Sequence, residues 1–355
     1  MNSTSCRPAV TSPVPRPLWD SILRSDPGAV VTQSLTWRDV VIANGSYQDV
    51  SLLYEFPSGH RAVLPMVRQR QRPAWAAAAA SWPGAWGMGG PICEGGCISP
   101  AEATAVLADV ARRRSLATEI RLRPGASRSW LSKSLQFRVR ESGLRCHVLD
   151  LTDGFATVWQ DRFRGTARTA IRKAERSGLE VEVDRSGRLP PEFFYLYAKS
   201  VKRWATMQNE PAWLTRWRMS RSGPPKVLSS VAEHFGADCA IWMARSEGQA
   251  VAAIMVLSHA GYAKYWKGAM HKELAGPVRA NELLHRLAID DACRNGCRFY
   301  DMGTSRPGSP LAAFKEKFGA VPLVTHTLRI ERLPAYTAGD VSRNLIKRAI
   351  GFHDV

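Results

Sequence analysis

The sequence predicts an α/β chain of the α+β kind, with mixed, mainly antiparallel sheets flanked by helices and the same unit present twice. Three observations carry this. A hairpin, a helix and a strand follow one another in the first half, and a hairpin, a third strand, a helix and a strand follow in the second. Apolar positions alternate by two in the hairpins and recur at three or four in the segments between them. The chain of 355 residues is 45% apolar and holds 12 Trp, enough to fill two cores of ordinary size.

The elements are justified in order along the chain. Residues 19–23 and 35–43 read as short helices. Residues 49–56 and 61–68 alternate apolar and polar positions around Pro57-Ser58-Gly59, which reads as a hairpin. A Gly-dense loop with Trp75, Trp82 and Trp86 leads to Pro100-Ala101-Glu102, a helix start, and 117–122 read as a strand. Residues 144–151 read as a strand linking the halves, followed by a helical insert over 154–235. Residues 239–245 and 250–258 flank Glu247-Gly248 as a second hairpin. Residues 262–268 read as a strand, 279–294 as a helix capped by Gly296, and 298–301 as a strand. Residues 343–350 read as a short amphipathic helix.

The formal charge is +18, from 49 basic and 31 acidic residues. Both halves carry the excess, so it is not a basic tail. Such a field attracts polyanions, although the dominance of Arg over Lys also fits a GC-rich genome. Residues 1–17 lack an apolar stretch of the kind a secretion signal needs, and 1–16 read as a flexible tail. No apolar run is long enough for a membrane span, so the chain is expected to be cytoplasmic, with its cysteines reduced. Cys93/Cys97 and Cys293/Cys297 have a spacing zinc tolerates but not the context of a zinc knuckle, so no metal is expected.

Residues 162–177 form one helix in this reading. Phe163, Ala167, Ala170, Ile171 and Ala174 make its apolar face, and Arg164, Arg168, Arg172 and Arg176 stand four apart as a cationic line with Lys173 beside it. Like charges at that spacing weaken an isolated helix, and a bound phosphate would reverse the penalty; a solvated face is the alternative. Trp204, Trp213 and Trp217 in the insert either stack on a ring or pack the insert to the body.

The segment from Asp301 to Gly319 is the most informative. A carboxylate ends a strand, a Gly/Ser/Pro loop follows, and a short helix carries Phe314-Lys315. A helix, then Gly-Cys-Arg-Phe-Tyr-Asp-Met-Gly, then Phe-Lys-Glu-Lys-Phe-Gly resembles the closing segment of the Fem-like acyltransferases, two-domain relatives of the GNAT acetyltransferases. The Arg-Thr-Ala-Ile-Arg-Lys-Ala run of the arginine helix resembles another element of that family. The resemblance covers roughly residues 17–330 as architecture and is sharpest over 162–183 and 250–322. It implies two tandem GNAT-like domains: 17–150 on the acceptor side and 151–335 on the donor side, with a tail over 336–355.

The resemblance also implies an activity, the transfer of an aminoacyl group from aminoacyl-tRNA to an amine of a cell-wall precursor or small metabolite. No cofactor is implied beyond that co-substrate. By the same match Lys315 stabilises the oxyanion or the leaving ribose oxygen, and Phe314 walls the tunnel. Asp301 either handles the acceptor ammonium or caps its own loop through the N–H groups of Gly303 and Thr304. Acetyl-CoA is the alternative donor. Yet 275–280, where GNAT enzymes carry a phosphate-binding loop, matches that pattern only at Ala280, and Pro277 removes a backbone donor. Lys267, Arg279 and Asn281 complete the set expected at the donor's phosphates. A non-catalytic RNA-binding protein on the same fold is the third reading.

Overall fold

The structure, a computed structural model, describes residues 7–126, 128–131, 137–216 and 225–332, together with 339, 342, 345 and 351. Trp217 and most of the expected helix over 343–350 lie outside the described residues. The chain divides into two compact units, one of residues 1–143 with 324–341 and the other of 144–323 with 342–355.

The first unit opens with β1 (Ala9–Thr11), α1 (Arg16–Ser25) and α2 (Leu35–Asn44). β1 corrects the reading of 1–16 as a loose tail, because residues 9–11 pair antiparallel with 53–55. The expected hairpin is present, but each strand is broken in two: β2 (Tyr47–Asp49) and β3 (Leu52–Glu55), then β4 (Arg61–Leu64) and β5 (Val67–Gln69). Two local causes are visible. The Asp49 carboxylate accepts from the Ser51 N–H, which turns the chain. Pro65 has no N–H to continue a ladder. β3 and β4 therefore enter one sheet, between β1 and β7 (Ile92–Cys93), while β2 and β5 continue another beside β6 (Ala78–Ala80). α3 (Pro100–Arg112) starts at a capping box in which Ser99 and Glu102 bond each other's backbone N–H. It leads to β8 (Ala117–Arg121), which runs parallel to β6. Tyr54, Leu64, Val106, Leu107, Ile120 and Leu328 are buried together as this unit's core.

β9 (Arg138–Asp150) carries the chain into the second unit. There α4 (Gly154–Thr157) and a π-turn over Val158–Arg162 precede α5 (Gly165–Glu175), then β10 (Glu180–Asp184), α6 (Pro190–Met207) and α7 (Pro225–Phe235). β10 corrects the reading of 154–235 as all helix, since it pairs antiparallel with the next strand, β11 (Cys239–Ser246). β12 (Gln249–His259), β13 (Tyr262–Met270), α8 (Lys272–Ala275), α9 (Ala280–Arg294), β14 (Phe299–Ser305) and α10 (Pro310–Glu316) complete the unit. Its sheet runs β10-β11-β12-β13-β14-β9. Every pair is antiparallel except β13 and β14, whose crossover is α9. Ile171 of α5, Leu284 and Ile289 of α9, Tyr300 and Phe318 are fully buried in one core. The last strand, β15 (Val321–Glu331), returns the chain to the first unit and pairs antiparallel with β8.

Candidate active site

The second unit's sheet is irregular at one place. The parallel ladder between β13 and β14 covers only Tyr262–Lys264 against Phe299–Asp301 and ends there. Just beyond, β13 bulges against β12 at Trp266, and β14 slips against β9 between Asp301 and Thr304, where Gly303 has φ of 76°. Two bulges in neighbouring strands bend both and leave the ladder open past the Lys264–Asp301 pair. Parallel strands that part at their C-terminal ends form the crevice where open α/β sheets bind ligands.

Charged side chains close the ladder's end. Lys264 Nζ lies 2.6 Å from Asp301 Oδ2. Asp301 Oδ1 accepts from the Gly303 N–H at 2.6 Å and from Cys146 Sγ at 3.2 Å. Burial would raise the Asp301 pKa, but the Lys264 ammonium and these hydrogen bonds outweigh it and hold the carboxyl below its usual value. Burial lowers Lys264, and the Asp301 carboxylate more than reverses that. Burial likewise pushes the Cys146 thiol well up, so it is a neutral donor. Both Asp301 oxygens are therefore engaged. Of the two sequence readings, the loop cap is present at Gly303, while Lys264 holds the other oxygen.

Lys315 lies one strand-to-helix turn further on. α10 begins at Ser309, whose hydroxyl accepts from the Ala312 N–H, with Pro310 as its first residue. That start directs Lys315 back onto β14, where Nζ donates to the carbonyls of Gly303 at 3.0 Å and Thr304 at 2.9 Å. Lys315 is 2% exposed, and burial brings its pKa down to about 8. It is a cation with three N–H donors, two of them spent on backbone, at the edge of the parted strands. Phe314 packs against His285 at 5.5 Å and Phe318 at 5.4 Å between ring centroids.

His285 was not singled out in the sequence. It stands on α9 among Tyr265, Tyr300, Phe314 and Phe318, with Nδ1 3.2 Å from the Tyr300 hydroxyl. Burial and then the Lys315 and Lys317 ammonium groups drop its pKa to about 3, so it is neutral. Lys317 bonds the buried Glu282 carboxylate at 2.8 Å.

The expected phosphate ligands separate into groups. Arg164 is the residue before α5 rather than part of it. Its backbone N–H donates to the Lys317 carbonyl at 2.8 Å, which ties the arginine helix to the Phe-Lys helix, and its side chain is exposed. Arg172 and Lys173 are exposed on α5. Arg168 departs from the expectation: its Nη1 bonds the carbonyls of Trp159, Gln160 and Phe163 at 3.1, 2.7 and 2.7 Å, so its fork ties down the end of the π-turn instead of facing a phosphate. Lys267 lies 4.9 Å from the ring centroids of Tyr197 and Trp266. Asn281 points its amide at Met270 Sδ at 2.9 Å. Arg279 has φ of 56°, is half exposed, and sits 3.9 Å from Glu282. Trp213 is exposed, and Trp204 packs edge-on against Tyr197.

Comparison with known proteins fits this geometry. A family model described as an acetyltransferase (GNAT) domain matches residues 161–316, which hold the parted strands, α9 and Lys315. Residues 161–316 thus resemble a GNAT-type acetyltransferase domain, in keeping with an acyltransferase. More particularly, its fold is similar to that of the crystal structure of FemX, with a TM-score of 0.68 at 12% identity, covering 93% of this chain and 99% of that one. It is also similar to L-PGS from Bacillus licheniformis, with a TM-score of 0.53 at 14% identity over 96% and 98% of the two chains. The C-terminal domain of a putative lysylphosphatidylglycerol synthetase from Agrobacterium fabrum gives 0.52 at 13% identity over 94% and 96%. No curated protein sequence matches the chain.

Proposed function

We propose that this acyltransferase moves an aminoacyl group from aminoacyl-tRNA to the amino group of a cell-wall precursor or small metabolite. The observation that carries the choice of donor is the start of α9, where a GNAT enzyme holding CoA offers backbone N–H groups to a pyrophosphate. Here the Gly276 N–H is bonded to the Lys272 carbonyl and the Arg279 N–H to the Gly276 carbonyl, and Pro277 has none. The buried Glu282 carboxylate occupies the first turn of that helix, paired with Lys317. A pyrophosphate there would find the Gly276 and Arg279 N–H groups already bonded and none at Pro277. The exposed Arg164, just before α5, and Arg172 on that helix, by contrast, suit a longer polyanion.

In this reading the acceptor nitrogen attacks the aminoacyl ester carbonyl, the C–N bond forms, and the tetrahedral oxyanion collapses with loss of the ribose oxygen. The proton lost by the amine balances the one gained by that oxygen. Lys315 supplies its remaining N–H to the developing negative charge, and the Lys264–Asp301 pair with Gly303 holds the two carbonyls on which Lys315 rests. Phe314 and neutral His285 exclude water around it.

The donor is tested by incubating the protein with a mixture of charged tRNAs or with acetyl-CoA and a panel of amines. Amide product that disappears after RNase treatment supports the proposal. Release of free CoA thiol makes acetyl-CoA the donor, and no product with either leaves RNA binding as the function.

A further inference from the structure

The first unit contains a cavity lined by none of the residues named for the transfer site. It opens where the hairpin strands break, between the sheet that β3 and β4 enter and the sheet that β2 and β5 continue. Its volume is about 400 Å³, within the usual range of small-molecule sites. The buried side chains of Leu52, Met66 and Val110 give it an apolar lining, and Arg68, Arg113 and Arg114 give it three guanidinium groups. Among the described residues, no carboxylate lines it.

These arginines differ in how far their charge is answered. Arg113 is paired with Asp109 at 2.8 Å. Arg68 is held by a neutral partner: with the Gln48 amide oxygen facing it, Nη2 and Nε donate at 2.5 and 2.9 Å. Arg68 is therefore fixed in place while its charge is uncompensated by that contact. Arg114 is exposed. The carbonyls that end α3 would oppose an anion, but Arg332 Nη2 donates to the Arg113 carbonyl at 3.1 Å. The buried hydroxyls of Ser115 and Thr118 also line the cavity and bond each other at 2.8 Å.

We infer that this cavity binds a small amphipathic anion, a carboxylate or phosphate head on an unbranched or aromatic apolar body, with the head on Arg68 and Arg114 and the body against Leu52, Met66 and Val110. The place differs from the transfer site in kind. In the second unit the parallel strands part beyond their C-terminal ends, whereas this cavity takes in Ala79 of β6 with Ser115 and Thr118, at the entry to β8.

Titration calorimetry on the full chain tests this with decanoate, decyl phosphate and decanol, and it requires no donor or acceptor. One decanoate or decyl phosphate is expected per chain, with decanol at least ten-fold weaker; the stronger of the two acids identifies the head. Arg68→Gln should weaken the acid at least ten-fold with an unchanged melting temperature, and Arg24→Gln, remote from the cavity, should leave it unchanged. Ala74→Trp, a filling change at a half-buried lining position, should abolish binding. Equal binding of all three probes, no binding of any, or wild-type affinity in Arg68→Gln overturns the inference.

Discussion

At the scale of single residues, the site is an arrangement of buried charges that depend on one another. Lys264 and Asp301 are each tolerable inside the protein only because of the other, so deleting one strands its partner. Lys264→Met is expected to cost about 3–5 kcal/mol in urea unfolding, and the double change Lys264→Met/Asp301→Leu should recover much of that loss. A loss in the double variant as large as in the single one would mean the pair is not coupled. His285 acts through pH. Its folded pKa of about 3 lies below the ordinary 6.5, so the unfolded chain takes up its proton first as the solution is acidified. Stability from this residue is complete above about pH 6.5 and drains away down to about pH 3. His285→Phe should therefore flatten the fall in melting temperature across that window, and an unchanged slope would show that His285 does not contribute it. Asp301 was legible in the sequence as a strand-end carboxylate. Lys264 was placed on its strand but not against Asp301, because a parallel register cannot be read from either strand alone.

At the scale of elements, the joint between the two signature helices carries the geometry. Arg164 donates its backbone to Lys317, and Phe163 meets Phe318 edge-on at 5.1 Å. Gly319 permits that approach. Its φ is 82°, and a Cβ there would lie 2.7 Å from Arg162 Cβ and from the Arg162 carbonyl oxygen. Gly319→Ala should destabilise the protein by at least about 2 kcal/mol, measured by chemical unfolding. The arginine line splits in the same region. The four-residue spacing treats its members alike, whereas the structure uses Arg168 to cap the π-turn. Arg168→Ala is expected to lower the melting temperature, while Arg172→Ala should leave it unchanged and weaken tRNA binding with a shallower salt dependence. The spacing was misleading because it assumes one uninterrupted helix, whereas α5 starts only after Arg164 and brings Arg168, in its first turn, onto the carbonyls of the preceding π-turn. The alternation along β13 failed in the same way. A period of two would put Tyr265 and Lys267 on one face, yet Tyr265 meets His285 of α9 and Lys267 meets Tyr197 of α6, because the bulge at Trp266 inserts one residue between them.

At the scale of the molecule, local patterns identified the hairpins, the α9 crossover and the Phe-Lys helix, since each has its own turn or cap. What they could not give was the broken first hairpin, the edge strand β10 or the long closing strand β15, whose partners are distant in sequence. Lys315 is proposed to serve as a buried cation for acyl transfer, held on β14 by the Gly303 and Thr304 carbonyls. Single-turnover transfer from charged tRNA, followed against pH in wild type and Lys315→Met, tests it most directly. The wild-type rate should fall as pH rises through about 8, where Lys315 loses its charge. Lys315→Met should be slower by about 10²–10³-fold below that pH, with that inflection gone. A variant that transfers at the wild-type rate, or keeps the same inflection, would contradict the claim.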